Sequence, residues 1–272
     1  MRRLLLAGVL LSIVMARPVS AGPGEPEIAM VAAALASGAV PEVRIAAAPG
    51  PRSAAFYART ADGKVQAVRF LNRLTDGETG PVIPVPANKE QILRIGGSPG
   101  YFVAARTGLA LDREAIIVLL TGEAPDGLDG LVPSGRASVP ADRFFRNVAA
   151  LSRHRSFIVH IVPYSISAPG IRPSLFKTSD AENIALSFER ATFETVLMIA
   201  DILSVETAGP LAPIMIDPAE EGGVFRFRYR SVEPASLLGD RLVKMAEGLG
   251  LKRVRISGDA SVDHLRLSFQ AP

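Results

Sequence analysis

Residues 96–100 match by spacing the turn that presents the nucleophile of serine hydrolases. They read Gly96-Gly97-Ser98-Pro99-Gly100, and a later aspartate followed by His264 would give the chain order of a catalytic triad. The oxyanion hole of that class uses the backbone N–H of the residue after the serine, and Pro99 has no N–H to donate. The motif therefore predicts a Gly/Pro turn rather than a nucleophile.

Other residue types that support catalysis or metal binding are scarce. The chain has three histidines and no cysteine, which excludes disulfides, thiolate metal sites and cysteine nucleophiles. His154 lies in a charged turn, His160 and His264 lie in predicted strands, and no two of them have metal-ligand spacing. Asp126 and Asp129 occupy a Gly-rich loop that lacks the acids of a calcium-binding EF-hand. We expect structural roles for the histidines, no bound metal and no cofactor.

The first 21 residues have the composition of a secretory signal. Arg2 and Arg3 precede an uncharged run from Leu4 to Ala16, and Val19-Ser20-Ala21 supplies small residues at a cleavage site. The run is shorter than the roughly 20 residues that a membrane-spanning helix needs. The sequence predicts cleavage after Ala21, a periplasmic or secreted protein, and no transmembrane segment in the mature chain.

Cleavage also changes the charge balance. The whole chain has 30 basic and 27 acidic residues, and the predicted signal contains Arg2, Arg3 and Arg17 and no acid, so the mature chain keeps 27 of each. A neutral mature chain gives no support to nucleic-acid binding. The hydrophobic fraction of 48% is enough for a buried core.

Residues 22–87 are predicted to form an N-terminal region with a helix and a β-hairpin. The alanine-rich segment Glu25–Ala36 predicts a short helix, Asp62-Gly63 is a hairpin signal, and Thr75–Pro86 has the composition of a loop. Three segments are predicted to be extended: Val43–Ala47, Ser53–Thr60 and Lys64–Phe70.

Residues 88–210 are predicted to form an α/β core. Asn88 and Gln91 have the spacing of a capping box that opens a helix. The unbroken apolar run Glu114–Leu120 is typical of a strand buried on both faces. The elements that follow are predicted in this order: helix Ala141–Leu151, strand Phe157–Val162, and a helix within Ala181–Leu203 with a strand at Asn183–Phe188. This strand–helix–strand order favours a parallel crossover unit.

Residues 211–272 are predicted to form a small α+β unit, either a separate module or an extension of the preceding sheet. The order is strand, helix, strand, strand. The segments are Val224–Arg230, Leu237–Leu249, Lys252–Ser257 and Asp263–Phe269.

From Asn88 to Leu203 the sequence resembles the caspase-like peptidase fold. Thr121-Gly122-Glu123-Ala124 ends the first buried strand, Gly130-Leu131-Val132-Pro133 lies in the next loop, and Pro163-Tyr164-Ser165 ends the second strand. The family typically has Ser-Gly-His-Gly, a Leu-x-Pro segment and Asp-Ala-Cys at these places. The resemblance implies a three-layer α/β sandwich with a mainly parallel central sheet.

The catalytic positions of that family are replaced in this chain. Glu123 stands at the histidine position and Tyr164 at the cysteine position, and neither side chain can supply the thiolate or the imidazole. Ser165 has no plausible base, because His160 lies on the opposite face of the same strand. The resemblance implies a non-catalytic binding or scaffolding protein of the bacterial envelope, whose partner is an unknown protein or peptide. Glu123, Tyr164 and Ser165 would line its cleft, with Glu123 and Tyr164 at the carboxyl ends of neighbouring parallel strands. A hydrolase with unrecognised catalytic residues is the alternative.

The alternation in Val224–Arg230 predicts a cationic sheet face. Phe225, Phe227 and Tyr229 alternate with arginines, so the two sets lie on opposite faces of a strand. The predicted arginine face comprises six residues: Arg226, Arg228, Arg230, Arg253, Arg255 and Arg266. Such a face is either a solvated sheet surface or a binding surface for an anionic envelope component, such as lipid head groups, an acidic glycan or an acidic protein.

Overall fold

The computed structural model describes residues 27–31, 34–36, 39–68, 70–72, 77–95, 111–133, 135–167, 182–206, 213–218, 224–231, 233–252, 254–257 and 264–269. The predicted signal, the motif at residues 96–100 and Arg253 lie outside these residues. The described residues form 17 strands, three α-helices and one 3-10 turn, numbered here in chain order. The sheets are mainly antiparallel, so the prediction of a mainly parallel, caspase-like α/β sandwich is wrong.

The central sheet is built on two long neighbouring strands, β10 (Leu111–Thr121) and β12 (Ile158–Ser167). Its strand order is β11-β5-β4-β10-β12-β14, with β8 paired to β4 and β2 paired to β12. Its shorter strands are β2 (Ala34–Ala36), β4 (Arg52–Arg59), β5 (Lys64–Ala67), β8 (Val82–Val85), β11 (Val139–Pro140) and β14 (Ile214–Ile216). Only the β2–β12 pairing in this sheet is parallel among the described strands.

β12 runs antiparallel to β10 because the connection between them runs along the strand direction twice, first away from the end of β10 and then back to it. Leu120 pairs with Ile158, so β12 begins beside the end of β10. Between these strands the chain passes through Val139, whose pairings through β5 and β4 place it level with Ala115, in the first half of β10. Helix α1 (Ala141–Leu151) then brings the chain back. The predicted parallel crossover assumed that α1 alone connects the two strands. The segment before α1 also runs back along the sheet, and this reverses the direction of β12.

A smaller N-terminal sheet covers one face of the central sheet. It has the order β1-β3-β9 and is antiparallel. Its strands are β1 (Ile28–Met30), β3 (Glu42–Ile45) and β9 (Gln91–Arg94). Ile28, Val43 and Ile45 of this sheet are buried in one cluster with Phe56 and Val118 of the central sheet. A separate two-stranded ribbon pairs β6 (Phe70–Asn72) with β7 (Gly77–Thr79).

Two predicted helices and a predicted loop are strands in the structure. Glu25–Ala36 contains β1 and β2, and Thr75–Pro86 contains β7 and β8. Asn88 has a φ of 57°, a left-handed conformation that a right-handed helix does not contain, and β9 begins at Gln91. The helix preference of alanine amounts to only fractions of a kcal/mol per residue, so burial between sheets overrides it.

Two helices pack on the other face of the central sheet, and a third helix lies beside the second of them against a C-terminal sheet. The helices are α1, α2 (Phe193–Glu206) and α3 (Ala235–Gly248). The C-terminal sheet has the order β15-β13-β17-β16, with β13 and β17 parallel. Its strands are β13 (Glu182–Glu189), β15 (Val224–Ser231), β16 (Arg255–Ser257) and β17 (His264–Ser268).

Helix α2 lies between the two sheets. One hydrophobic cluster joins the central sheet, the helices and the inner face of the C-terminal sheet. Phe193 at the start of α2 stacks on Phe225 of β15, with ring centroids 5.6 Å apart. Buried residues cover most of the circumference of α2, as expected for a helix with a sheet on each side: Val196, Leu197, Ile199, Ala200, Asp201, Leu203, Ser204 and Val205. The predicted boundary after residue 210 thus falls within a shared core, since β13 pairs with β15 and β17.

Candidate functional site

Glu123 and Tyr164 do not line a common cleft. Glu123 follows the end of β10, which lies beside the start of β12, whereas Tyr164 pairs with Glu114 near the start of β10. Glu123 is exposed and Tyr164 is 0% exposed. Because their strands are antiparallel, the prediction that both residues lie at the carboxyl ends of parallel strands is wrong.

Tyr164 and Ser165 belong to the interior of the molecule. The Tyr164 hydroxyl donates a hydrogen bond to Oε2 of Glu114, at 2.7 Å, across the two strands. Ser165 is buried on the other face of β12. Neither side chain is accessible to a peptide, so Tyr164 and Ser165 do not line an open cleft.

The outer face of the C-terminal sheet gathers arginines from three strands. Arg226 and Arg228 on β15, Arg255 on β16 and Arg266 on β17 are exposed, and Arg230 is half-buried. Alternation puts these β15 arginines on the face opposite the aromatic residues of the same strand. Five members of the predicted arginine face therefore lie on one sheet surface.

The strand register aligns two of these arginines in one row. Arg226 pairs with Ser187 of β13, and Ser187 pairs with Arg266 of β17. Directly opposite residues of neighbouring strands share a face. Two strand spacings separate the Cα atoms of Arg226 and Arg266 by about 10 Å. Arg255 lies one row further along, opposite Ser268.

The aromatic residues of β15 fix the direction in which the arginines point. Phe225, Phe227 and Tyr229 are buried, and Phe227 stacks on Phe188 of β13 with ring centroids 5.2 Å apart. A slip of one residue would bury the arginines and expose the aromatic rings. Burial of the inner face thus keeps Arg226 and Arg228 on the solvent side of the strand.

Ser187 and His264 form a hydrogen-bonded pair within this face. Ser187 Oγ and His264 Nε2 are 2.8 Å apart. A serine bonded to an imidazole is the pairing used in nucleophilic catalysis. Ser187 is 2% exposed, so a substrate carbonyl cannot reach its hydroxyl. The pair therefore orients the imidazole on the arginine face and does not form a nucleophile.

Glu189 of β13 is a carboxylate that contacts this group of arginines. Its Oε1 lies 3.2 Å from Nε of Arg266, and the two side chains are 32% and 54% exposed. A pair this exposed is screened by solvent and contributes little to stability. This acid is outnumbered by four exposed arginines, Arg226, Arg228, Arg255 and Arg266, so this part of the face is cationic.

The sequence predicted the arginines of this site and missed its other members. Ser187, Glu189 and His264 come from two strands distant in sequence from β15, and only the register brings them beside Arg226. The signal for Ser187 and Glu189 was their alternation with Ile184, Leu186 and Phe188, which places them on the polar face of a strand.

A second polar cluster lies between the N-terminal and central sheets. The guanidinium of Arg52 donates from Nη1 to Glu27 and from Nη2 to the carbonyl oxygen of Ala46, the latter at 3.0 Å. Nε2 of His160 lies 3.6 Å from Oε2 of Glu27. Burial, with a smaller contribution from Arg52, lowers the pKa of His160 to about 3. The imidazole is therefore neutral at physiological pH.

The described residues contain no group of three or more His, Asp or Glu side chains that could hold a metal ion. In the same part of the chain, no helix is both long enough and apolar enough to cross a membrane. No family model matches the sequence, and no curated protein or solved structure matches it either.

Proposed function

We propose that this protein binds polyanionic partners through the outer face of its C-terminal sheet. The supporting observation is the register, which gathers exposed arginines from β15, β16 and β17 on one surface, where Glu189 contacts Arg266. The chain as a whole carries a net charge of only +3. A nearly neutral chain that concentrates arginines on one face creates a local positive potential there.

The partner class follows from guanidinium chemistry. Arginine binds phosphate, sulfate and carboxylate groups through paired N–H donors. Proteins that bind single-stranded nucleic acid add aromatic side chains on which bases stack, whereas the aromatic residues of β15 point into the core. An acidic surface or polymer of the cell envelope fits the arrangement, together with the export proposed for this chain.

Binding to two anionic probes tests the proposal. The probes are immobilised heparin and vesicles of phosphatidylcholine with phosphatidylglycerol, compared with vesicles of phosphatidylcholine alone. The test variant changes Arg226, Arg228 and Arg255 to Gln. The matched control changes three exposed arginines on and around α1, Arg136, Arg143 and Arg153, to Gln, so both variants lose the same charge.

We expect the wild type and the control variant to bind at least one anionic probe and the test variant to lose most of that binding. Binding should weaken as salt rises, because exposed charges are screened over about 8 Å at physiological ionic strength. Thermal unfolding of both variants should match that of the wild type. Equal loss in the two triple variants, or no binding by the wild type, would refute the proposal.

A further inference from the structure

We propose that the row Arg226–Ser187–Arg266 is the primary subsite of this face and that it takes a tetrahedral oxyanion, a phosphate or a sulfate ester group. This inference rests on the proposed function and adds a position and a ligand class to it. Arg255 lies in the neighbouring row and makes a weaker, long-range contribution.

The row differs from the rest of the face in having a long cationic side chain on each side of a short one. Arg226 and Arg266 flank Ser187 across about 10 Å, a span that two extended guanidinium groups can close from opposite sides. His264 is fixed beside the row by its hydrogen bond to Ser187. Because Arg226 and Arg266 stand on different strands, their guanidinium groups can reach a ligand from different directions, which suits a group with three or four oxygens better than a planar carboxylate with two.

Glu189 acts as an internal competitor at this subsite. Its carboxylate lies 3.2 Å from Nε of Arg266, so it occupies a donor that the ligand would otherwise use. The contact is exposed and therefore weak enough for a multivalent anion to displace. Glu189 lowers the affinity of the subsite by holding Arg266 and by adding a negative charge beside the ligand.

The groups facing the subsite come from all four strands of the sheet. Those described are Glu189 on β13, Arg226 and Arg228 on β15, Arg266 and His264 on β17, and Arg255 on β16, whereas the Ser187 hydroxyl is buried beneath them. Removal of the one carboxylate among them should strengthen binding, which is the opposite of what a purely structural ion pair would do.

Single substitutions measured against the same two probes test the subsite. Glu189→Gln should raise the affinity roughly two- to fivefold, as expected for one exposed ion pair released. Its control is Glu123→Gln, which removes the same charge from an exposed position after β10 and should leave binding nearly unchanged. Arg226→Gln should lower the affinity roughly tenfold, the loss of a charged hydrogen bond, and Arg255→Gln roughly twofold.

A double variant tests whether Glu189 weakens binding by holding Arg266 or only by repelling the anion with its charge. If Glu189 acts through Arg266, the gain from Glu189→Gln should largely disappear when Arg266 is also changed to Gln. Vesicles and heparin distinguish a lipid phosphate from a polymer sulfate, and polygalacturonate tests whether carboxylates bind as well.

Each outcome bears on one level of the proposal. No binding by any form of the protein refutes the proposed function itself. Binding that survives, with Glu189→Gln equal to Glu123→Gln and Arg226→Gln equal to Arg255→Gln, keeps the function and refutes the subsite. Tighter binding to polygalacturonate than to both other probes refutes the tetrahedral ligand class.

Discussion

His160 is a buried histidine whose neutral form the fold requires. Its pKa of about 3 in the folded protein lies below the ordinary value of 6.5. As the pH falls from about 6.5, the unfolded chain therefore takes up a proton before the folded protein does. The contribution of this residue to stability is complete above pH 6.5 and is lost as the pH falls toward 3.

Changing His160 to Leu should flatten this pH dependence. We expect a smaller decline in the free energy of unfolding between pH 6.5 and 4 than in the wild type. At pH 7 the variant should be as stable as the wild type or about 1 kcal/mol more stable, since Nε2 of His160 has no hydrogen-bond partner in the described structure. Urea unfolding across this pH range measures the free energy of unfolding at pH 7 and its decline toward pH 4. The control is His154→Gln, at an exposed turn. If the free energy of unfolding of the variant declined with pH as steeply as that of the wild type, the role given to His160 would be contradicted.

Arg59 and Asp201 form a buried ion pair between β4 and α2. Nε of Arg59 lies 3.1 Å from Oδ1 of Asp201 and Nη2 lies 3.2 Å from Oδ2, and Nη1 donates to the carbonyl oxygen of Thr60. Changing Asp201 to Ala should cost about 3–5 kcal/mol, because it leaves a buried guanidinium without its counter-ion.

The double replacement of Arg59 by Met and Asp201 by Leu tests whether the uncompensated charge of Arg59 causes this loss of stability. Removing both charges should restore much of the stability lost in the single variant, since buried ion pairs gain little over apolar residues of similar volume. Denaturant unfolding at pH 7 measures the free energy of unfolding of the single and the double variant. A double variant less stable than Asp201→Ala would show that the pair stabilises the fold beyond mutual neutralisation.

At the level of elements, the sequence predicted the helices and strands that have a clear hydrophobic period within their own residues. The helix Ala141–Leu151 and the strands Ser53–Thr60 and Val224–Arg230 are confirmed, because each has a clear period of its own. Strands of three residues such as β1 and β2 carry no period that distinguishes them from a short helix. Their conformation depends on partners such as β3 and β12, which local patterns do not reveal.

The hairpin between β4 and β5 offers a test of a local prediction. Asp62-Gly63 was predicted as its turn, and Gly63 has a φ of 76° with open space around it. Gly63→Ala should cost about 1 kcal/mol, because alanine is strained in the left-handed conformation.

Gly80→Ala is the matched control for the hairpin. Gly80 also has open space around it and is not in the left-handed region, so alanine there should be neutral or slightly stabilising. Thermal unfolding of the two variants compares them directly. Equal stability of the two would mean that the turn at Gly63 relaxes without strain.

At the level of the whole molecule, the N-terminal pattern predicts processing. Val19-Ser20-Ala21 before Gly22 should direct cleavage after Ala21. The intact mass of the exported protein should match a chain that begins at Gly22. Replacing Ala21 with a bulky residue such as Phe should block processing, whereas Ala21→Ser should not. A mature protein that retains Arg2 would contradict the prediction.

The central sheet also has a consequence for when the chain can fold. Its strand β12 pairs with residues 34–36 on one edge and with residues 214–216 nearby, so strands from both ends of the chain must be present before the sheet is complete. Topologies dominated by such distant pairings fold slowly. During synthesis, the nascent chain cannot finish its core until nearly all of it has left the ribosome. If the chain is exported as its N-terminal pattern predicts, this delay would keep it unfolded until it has crossed the membrane.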